Sequence, residues 1–328
     1  MRTNNYPIKV ILLLAVLLCF DFIYGQDTIR VGLAWKPSLT IDDRAVLAIE
    51  KAGGEAVVLG QVRHPDIDYD SIAVQSKFVD EYGVLLPEYG EIVKNTTWHG
   101  SNVEEVMQGI DAVVFLGGGD ISSTLLREPQ PWHGLPDDNN CNAARDISEY
   151  LTMTYCLDHD IPILGLCRGM QMLGVVSGAT MIQDLDTYFA GQGVDYEHLH
   201  RSLRDENGER HYTPHDVVVT DFKSHFYSIV VADTLKKVPS WHHQVVGDVT
   251  GTPLKVTGIT PTNGKDIIEV IERTDKTFAM GVQFHPEEAV RKHLSGEDDA
   301  NQFMQLYEGV NYFRKLINHT NKFKNQRQ

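Results

Sequence analysis

Short, wholly apolar runs alternate along this chain with longer amphipathic ones. TIRVGLAW (28–35) predicts a first buried strand and IPILGL (161–166) a fully apolar one, and EAVVLG (55–60) and the first part of DAVVFLGGGD (111–120) predict further short strands. Between them, IDDRAVLAIEKAGG (41–54), NVEEVMQGI (102–110), ARDISEYLTMTYCLDH (144–159) and CRGMQMLGVVSGA (167–179) carry helical spacing, the first closed by glycines. Strand and helix in this order predict βαβ units on a parallel sheet, which binds ligands at the carboxyl ends of its strands. From about residue 215 the pattern turns β-rich, with HDVVVT, PLKVTGIT, DIIEVIER and TFAMGVQF, and TNGK (262–265) has the Asn-Gly of a hairpin turn. DANQFMQLYEGVNYFRKLI (299–317) predicts a last helix with Phe303, Leu306, Tyr307, Val310, Phe313 and Ile317 on one face. Residues 61–100 are irregular and polar with scattered aromatics. A structureless loop of that length is unusual, so a small helix or flap is expected there.

The start of the chain reads differently. Arg2 and Lys9 precede an unbroken apolar run from Val10 to Phe20, followed by Asp21 and the small residue Gly25. That is the layout of a secretory signal over 1–25, with a mature domain over 26–328, and the run is too short to span a bilayer comfortably. An exported protein, periplasmic or secreted, is the expectation. The whole chain of 328 residues has 29 Lys+Arg against 45 Asp+Glu, a net charge of −16, and removing the leader leaves it acidic. An acidic balance argues against nucleic acid as a partner and against docking on an anionic membrane once the signal is cleaved. Self-association is left open. Four cysteines are too few for a disulfide scaffold, and Cys19 falls in the leader. Cys141 and Cys156 bracket a helical stretch whose rise would separate them by roughly 22 Å, too far for a bridge.

Chemistry concentrates at three places. GLCRG (165–169) joins a buried strand directly to a helix, with glycine two before and two after Cys167, the pattern of a nucleophile elbow. A helix N-terminus favours a thiolate and offers N–H groups to an oxyanion. GVQFHPEE (281–288) puts His285 and Glu287 at the end of another apolar strand, a base and its orienting group, with Pro286 predicted to force an extended bend between them. The glycines of GGGD (117–120) supply further backbone donors.

GLCRGMQMLGVVSGATMIQDL, SWHHQVV and GVQFHPEE, in this order, resemble the class I glutamine amidotransferase superfamily, and within it the peptidase C26, gamma-glutamyl-gamma-aminobutyrate hydrolase-like branch. The likeness runs from about residue 28 to about 317. It implies a flavodoxin-like three-layer α/β/α fold with a mostly parallel sheet, an added β-hairpin region and a nucleophile elbow. It also implies hydrolysis of a gamma-glutamyl amide through a thioester, with no cofactor and a small-molecule substrate. By the resemblance Cys167 is the nucleophile, His285 the base and acid, and Glu287 its orienting group. Gly118 or Gly119 and the N–H of Arg168 form the oxyanion hole. Gln171, His242, His243 and Gln244 line the pocket for the glutamyl group. The alternative is the glutaminase subunit of an amidotransferase, which shares the triad; a secretory leader would separate the chain from cytosolic synthases and favours the stand-alone hydrolase. A catalytic metal is not expected. His198, His200, His211, His215, His242 and His243 fall in no HExxH or paired CxxC arrangement.

Overall fold

The computed structural model describes residues 28–35, 43–132 and 139–327, and the leader read at 1–25 lies outside them. Strand β1 (Arg30–Ala34) is followed by helix α1 (Asp43–Lys51) and β2 (Glu55–Val58). Residues 61–100 then carry a small ladder of β3 (Tyr69–Asp70) with β4 (Ala73–Val74) and a helix, α2 (Pro87–Thr96). Helix α3 (Val103–Val106) is a single turn where a longer helix is predicted, because Gly109 at φ 71 turns the chain into the next strand. Next come β5 (Ala112–Phe115), α4 (Ala143–Asp158), β6 (Ile163–Leu166) and α5 (Arg168–Val176).

The second half adds β7 (Met181–Ile182), α6 (Leu185–Ala190), β8 (Thr213–Val219), α7 (His225–Val230), β9 (Thr234–Ser240) and β10 (Val245–Val246). It closes with β11 (Leu254–Thr262), β12 (Lys265–Arg273), β13 (Ala279–Val282), α8 (Pro286–Ser295) and α9 (Leu306–Arg327). Asn263 (φ 48) and Gly264 (φ 76) make the left-handed turn between β11 and β12 that an Asn-Gly pair suits. The last helix departs from its prediction. Ala300–Gln302 form a separate short turn, and Phe303 is buried ahead of α9. The buried face of α9 includes Gly309, Phe313, Leu316 and Thr320, so at 100° per residue Tyr307 falls well off it and is exposed.

Nine strands form one sheet in the order β2-β1-β5-β6-β13-β12-β11-β8-β9. From β2 to β13 neighbours run parallel; from β13 to β9 they run antiparallel. Alternation along β5 sends Val113 and Phe115 to one face, where they join Ile147 and Leu151 of α4 and Leu173 of α5. Ala112 and Val114 point to the other, with Leu33, Ala48 of α1, Val290 of α8 and Phe313 of α9. The result is a three-layer α/β/α fold. No helix among the described residues is long and apolar enough to cross a membrane.

Helix α5 lies unusually close to the sheet. A Cβ on Gly169 would fall 2.3 Å from the carbonyl oxygen of Phe115 in β5, and one on Gly281 in β13 would fall 2.7 Å from Cβ of Met170. Beneath the same helix start is a buried ionic cluster. The Arg168 guanidinium is fully buried and pairs with both Asp146 and Glu149 of α4. Glu149 also takes Nε of Arg145 at 2.8 Å, and Asp146 accepts from the backbone N–H (3.0 Å) and hydroxyl (2.6 Å) of Ser122. Two cations and two carboxylates balance, which makes their burial tolerable. Burial, helped by Arg145, brings the Arg168 pKa down to about 10 against the pull of Asp146, so the side chain stays charged at neutral pH.

Two expectations follow from this packing. Gly169→Ala should lose about 1–3 kcal/mol in urea unfolding, since the methyl meets backbone and cannot be accommodated by a side-chain rotation. Arg168→Met should lose on the order of 3–5 kcal/mol, because it strands buried carboxylates. Unchanged midpoints in either variant would contradict the close approach or the ion cluster.

Candidate active site

The carboxyl ends of β5, β6 and β13 meet at one point, and each contributes to it. Cys167 leaves β6 and caps α5 with φ 50 and ψ −105, a region that side chains other than glycine rarely adopt. Its N–H donates to the Val282 carbonyl of β13 (2.7 Å), and its carbonyl accepts from the N–H of Gln171 (3.1 Å), so the strained residue is held from both sides. The elbow read from GLCRG is therefore present as a backbone conformation.

After β13 the chain bends at Gln283 and Phe284 and reaches His285, whose N–H donates to the Pro239 carbonyl of β9 (2.8 Å). The extended bend predicted at Pro286 is not formed. Pro286 instead opens α8 at its first position and His285 is the cap, because a proline's fixed φ suits that position and needs no N–H partner. Glu287 thus sits in the first turn of a helix, where a carboxylate is favoured, and its Oε1 lies 2.7 Å from Nδ1 of His285. With Nδ1–H engaged by the carboxylate, Nε2 is left as the ring's second functional nitrogen. A Cβ on Gly117, at the end of β5, would lie 2.7 Å from Cε1 of His285 and 3.5 Å from Cβ of Cys167. Imidazole and thiol therefore flank one glycine.

Burial pulls the pKa of His285 down, but Tyr212, the Glu287 carboxylate and the Cys167 sulfur oppose it, and the net lies well above the usual imidazole range. Glu287 goes the other way: burial would raise it, yet His285 and Arg44 hold it ionised. Cys141 and Cys156 are free thiols whose pKa burial pushes far up, which suits packing rather than nucleophilic chemistry.

The glycine loop is tied to α4. Nη2 of Arg145 donates to the carbonyls of Leu116 (3.0 Å) and Gly117 (2.8 Å), drawing those oxygens toward the helix. A Cβ on Gly119 would meet the Asn140 carbonyl at 2.3 Å, so the loop passes where only glycine fits. Gly118, Gly119 and the start of α5 border a cleft of about 810 Å³ that also reaches Cys167 and His285. Arg201, Arg204 and Arg210 also line it, with Asp120 and Glu209.

The remaining predicted pocket residues divide. Gln171 donates through Nε2 to the Gln244 carbonyl (2.9 Å) and to Oε1 of Gln283 (3.3 Å), and Gln283 donates to Sγ of Cys167 (3.5 Å). His243 is clasped between two carboxylates, Nε2 to Asp120 (3.0 Å) and Nδ1 to Asp184 (3.1 Å). His242 borders the cleft, yet its Nδ1 faces the Gln244 carbonyl (3.0 Å) and its Nε2 faces Glu269 (3.6 Å). Sequence reasoning gave no role to Gln283, Tyr212 or Arg44. Gln283 stands two before His285, and strand periodicity could have placed it on the same side. Tyr212 packs edge-on against His285 with ring centres 5.3 Å apart, and its hydroxyl accepts from Arg44 at 2.6 Å. No local spacing signals that contact.

The profile of the peptidase C26 family matches residues 92–287. The chain is 32% identical over 195 residues to protein NtpR of Enterococcus hirae, covering 59% of this chain and 72% of that one. It is 30% identical over 189 residues to the putative glutamine amidotransferase-like protein YvdE of Lactococcus lactis, covering 57% and 70% respectively. Among solved structures, a putative GMP synthase protein from Thermoplasma acidophilum superposes with a TM-score of 0.52 at 12% identity, covering 92% of this chain and 100% of that one, a likeness of fold. The chain belongs to the peptidase C26 family, within the class I glutamine amidotransferase-like superfamily of hydrolases and amidotransferases.

Proposed function

We propose that this protein is a cysteine-dependent hydrolase of gamma-glutamyl amides with Cys167, His285 and Glu287 as its triad. One observation carries the reading: a strained cysteine at a helix start and a His285–Glu287 pair held at 2.7 Å flank the same glycine. In this mechanism the Cys167 thiolate attacks the γ-carbonyl, forming a C–S bond and an oxyanion held by N–H donors of Arg168 and Gly118 or Gly119. The C–N bond breaks as the amine takes a proton from His285. Water then attacks the thioester, losing a proton to His285, and glutamate leaves as the thiol is restored. Glu287 keeps the imidazole in the working tautomer.

The cleft's lining favours a substrate whose leaving amine is anionic. Arg201, Arg204 and Arg210 line it although the chain as a whole is strongly acidic, and an amine that itself bears a carboxylate, such as γ-aminobutyrate or a glutamate tail, complements them. The leader over 1–25 would place the reaction outside the cytosol. The competing reading, a glutaminase subunit feeding a synthase, draws on relatives described as putative glutamine amidotransferases.

A panel of gamma-glutamyl amides, with mass-spectrometric detection of the released amine, should show turnover by the chain alone, fastest where the leaving amine is anionic. Cys167→Ala should lower it by at least about 10³-fold while the circular dichroism spectrum is kept. Hydrolysis of glutamine only on addition of a synthase would replace this reading with the competing one. The raised His285 pKa sets the pH dependence. The imidazolium that protonates the leaving amine persists to higher pH than in an ordinary histidine, so the alkaline limb of kcat/KM lies well above 6.5. Glu287→Gln removes an anion that supports that charge. It should move the alkaline limb to lower pH and cut kcat; an unmoved limb would remove Glu287 from its assigned role.

A further inference from the structure

Away from the cleft's reactive centre, His200, His215, His242 and Glu269 converge in the protein interior, all four side chains buried. They come from four separate places: a loop after α6, strand β8, the turn after β9, and strand β12. Each offers one donor atom, and these four atoms lie within 4.8 Å of one another. Glu269 Oε1 stands 3.0 Å from Nδ1 of His200, 3.7 Å from Nε2 of His215 and 3.6 Å from Nε2 of His242. Four ligands around a tetrahedral zinc ion at about 2.05 Å are about 3.3 Å apart, which is the mean scale of these three edges.

The hydrogen-bond network around the cluster fixes which way the rings are protonated. The Thr262 hydroxyl donates to the Thr260 carbonyl (3.2 Å), so toward Nε2 of His200 (3.0 Å) it acts as acceptor. The Thr260 hydroxyl donates to the Asp216 carbonyl (2.9 Å) and so accepts from Nδ1 of His215 (3.1 Å). Nδ1 of His242 faces a carbonyl, that of Gln244, and must carry its proton there. All three N–H groups thus point outward, and the three lone pairs point inward at a carboxylate. The inward atoms, together with both oxygens of Glu269, have no aligned hydrogen-bond partner. A proton on one ring would answer one of these contacts and leave two lone pairs still facing the carboxylate, whereas a divalent cation answers all of them.

We propose that His200, His215, His242 and Glu269 form a closed, four-ligand site for a divalent transition metal, zinc first, that serves as a structural clamp. The donor set of three imidazoles and one carboxylate suits zinc, and with four protein ligands and full burial no position is left for a reacting water. The clamp ties the His200 loop, which leads into Arg201 and Arg204 of the cleft wall, and His242, next to His243 and Gln244, onto the sheet. The site does not depend on which amide the protein cleaves.

The test uses the full chain with Cys167→Ala, so that the cleft thiol supplies no ligand. Metal analysis after dialysis should find about one equivalent of zinc; the chelator-stripped chain should bind Co²⁺ with the intense visible absorption of a tetrahedral site, and Zn²⁺ should raise its Tm. His215→Asn and Glu269→Gln should each reduce retained metal by at least about tenfold, whereas His211→Ala, in the exposed Asp205–Glu209–His211 group, should not. Should the two core variants fail to fold, the stripped parent chain decides alone. No Co²⁺ spectrum and no zinc-dependent Tm in that chain would overturn the site, as would metal lost with His211→Ala and retained in His215→Asn.

Discussion

The close seat of α5 on the sheet is the constraint from which the rest of the centre follows. Gly169 touches β5 and Gly281 lets β13 pass under Met170, so the helix can start within one residue of the end of β6. With no linker between strand and helix, the joining residue must take an unfavourable backbone angle, and Cys167 takes it. Its side chain is then directed to where Gly117, just past β5, meets His285, three residues past β13. The buried Arg168 cluster reinforces the same seat from below, because it bonds the first helical residue of α5 to α4 and, through Ser122, to the loop that follows the glycines.

Much of this was legible from local pattern. The short apolar runs became the parallel strands of the sheet, and the Asn263-Gly264 turn became the β11–β12 hairpin, because each is decided by neighbouring residues. The elbow was legible for the same reason: glycines at 165 and 169 are the local means by which strand and helix approach. Boundaries governed by a competing local rule were misread. Pro286 is as good a helix opener as a bend, and only the contacts of α8 with the sheet select the former. Tyr307 fits an apolar stripe on paper, yet the helix begins later than the stripe and turns that ring outward.

What escaped the sequence depends on distant residues meeting. The rings of His200, His215 and His242 meet Glu269 only once strands β8 and β12, a loop and a turn have come together, and no spacing along the chain marks them. A search for HExxH or CxxC looks for ligands delivered by a single turn of helix or loop, whereas here two strands, a loop and a turn deliver them one at a time. Gln283, Tyr212 and Arg44 escaped for a related reason. Gln283 touches Cys167, Tyr212 packs on His285 and Arg44 bonds Tyr212, contacts that the tertiary fold creates.

The place of β13 in the sheet has a consequence for the order in which the protein becomes a chemical agent. Ile163 pairs with Ala279, so the strand beside the elbow is supplied by a segment more than a hundred residues later, after the whole antiparallel extension has been laid down. A nascent chain emerging from the ribosome therefore exposes Cys167 long before it possesses His285 or Glu287. Contacts of such separation are also the slow ones to form, since loop closure precedes their gain. Cys167 and His285 are kept apart by chain order itself until the sheet closes around β13.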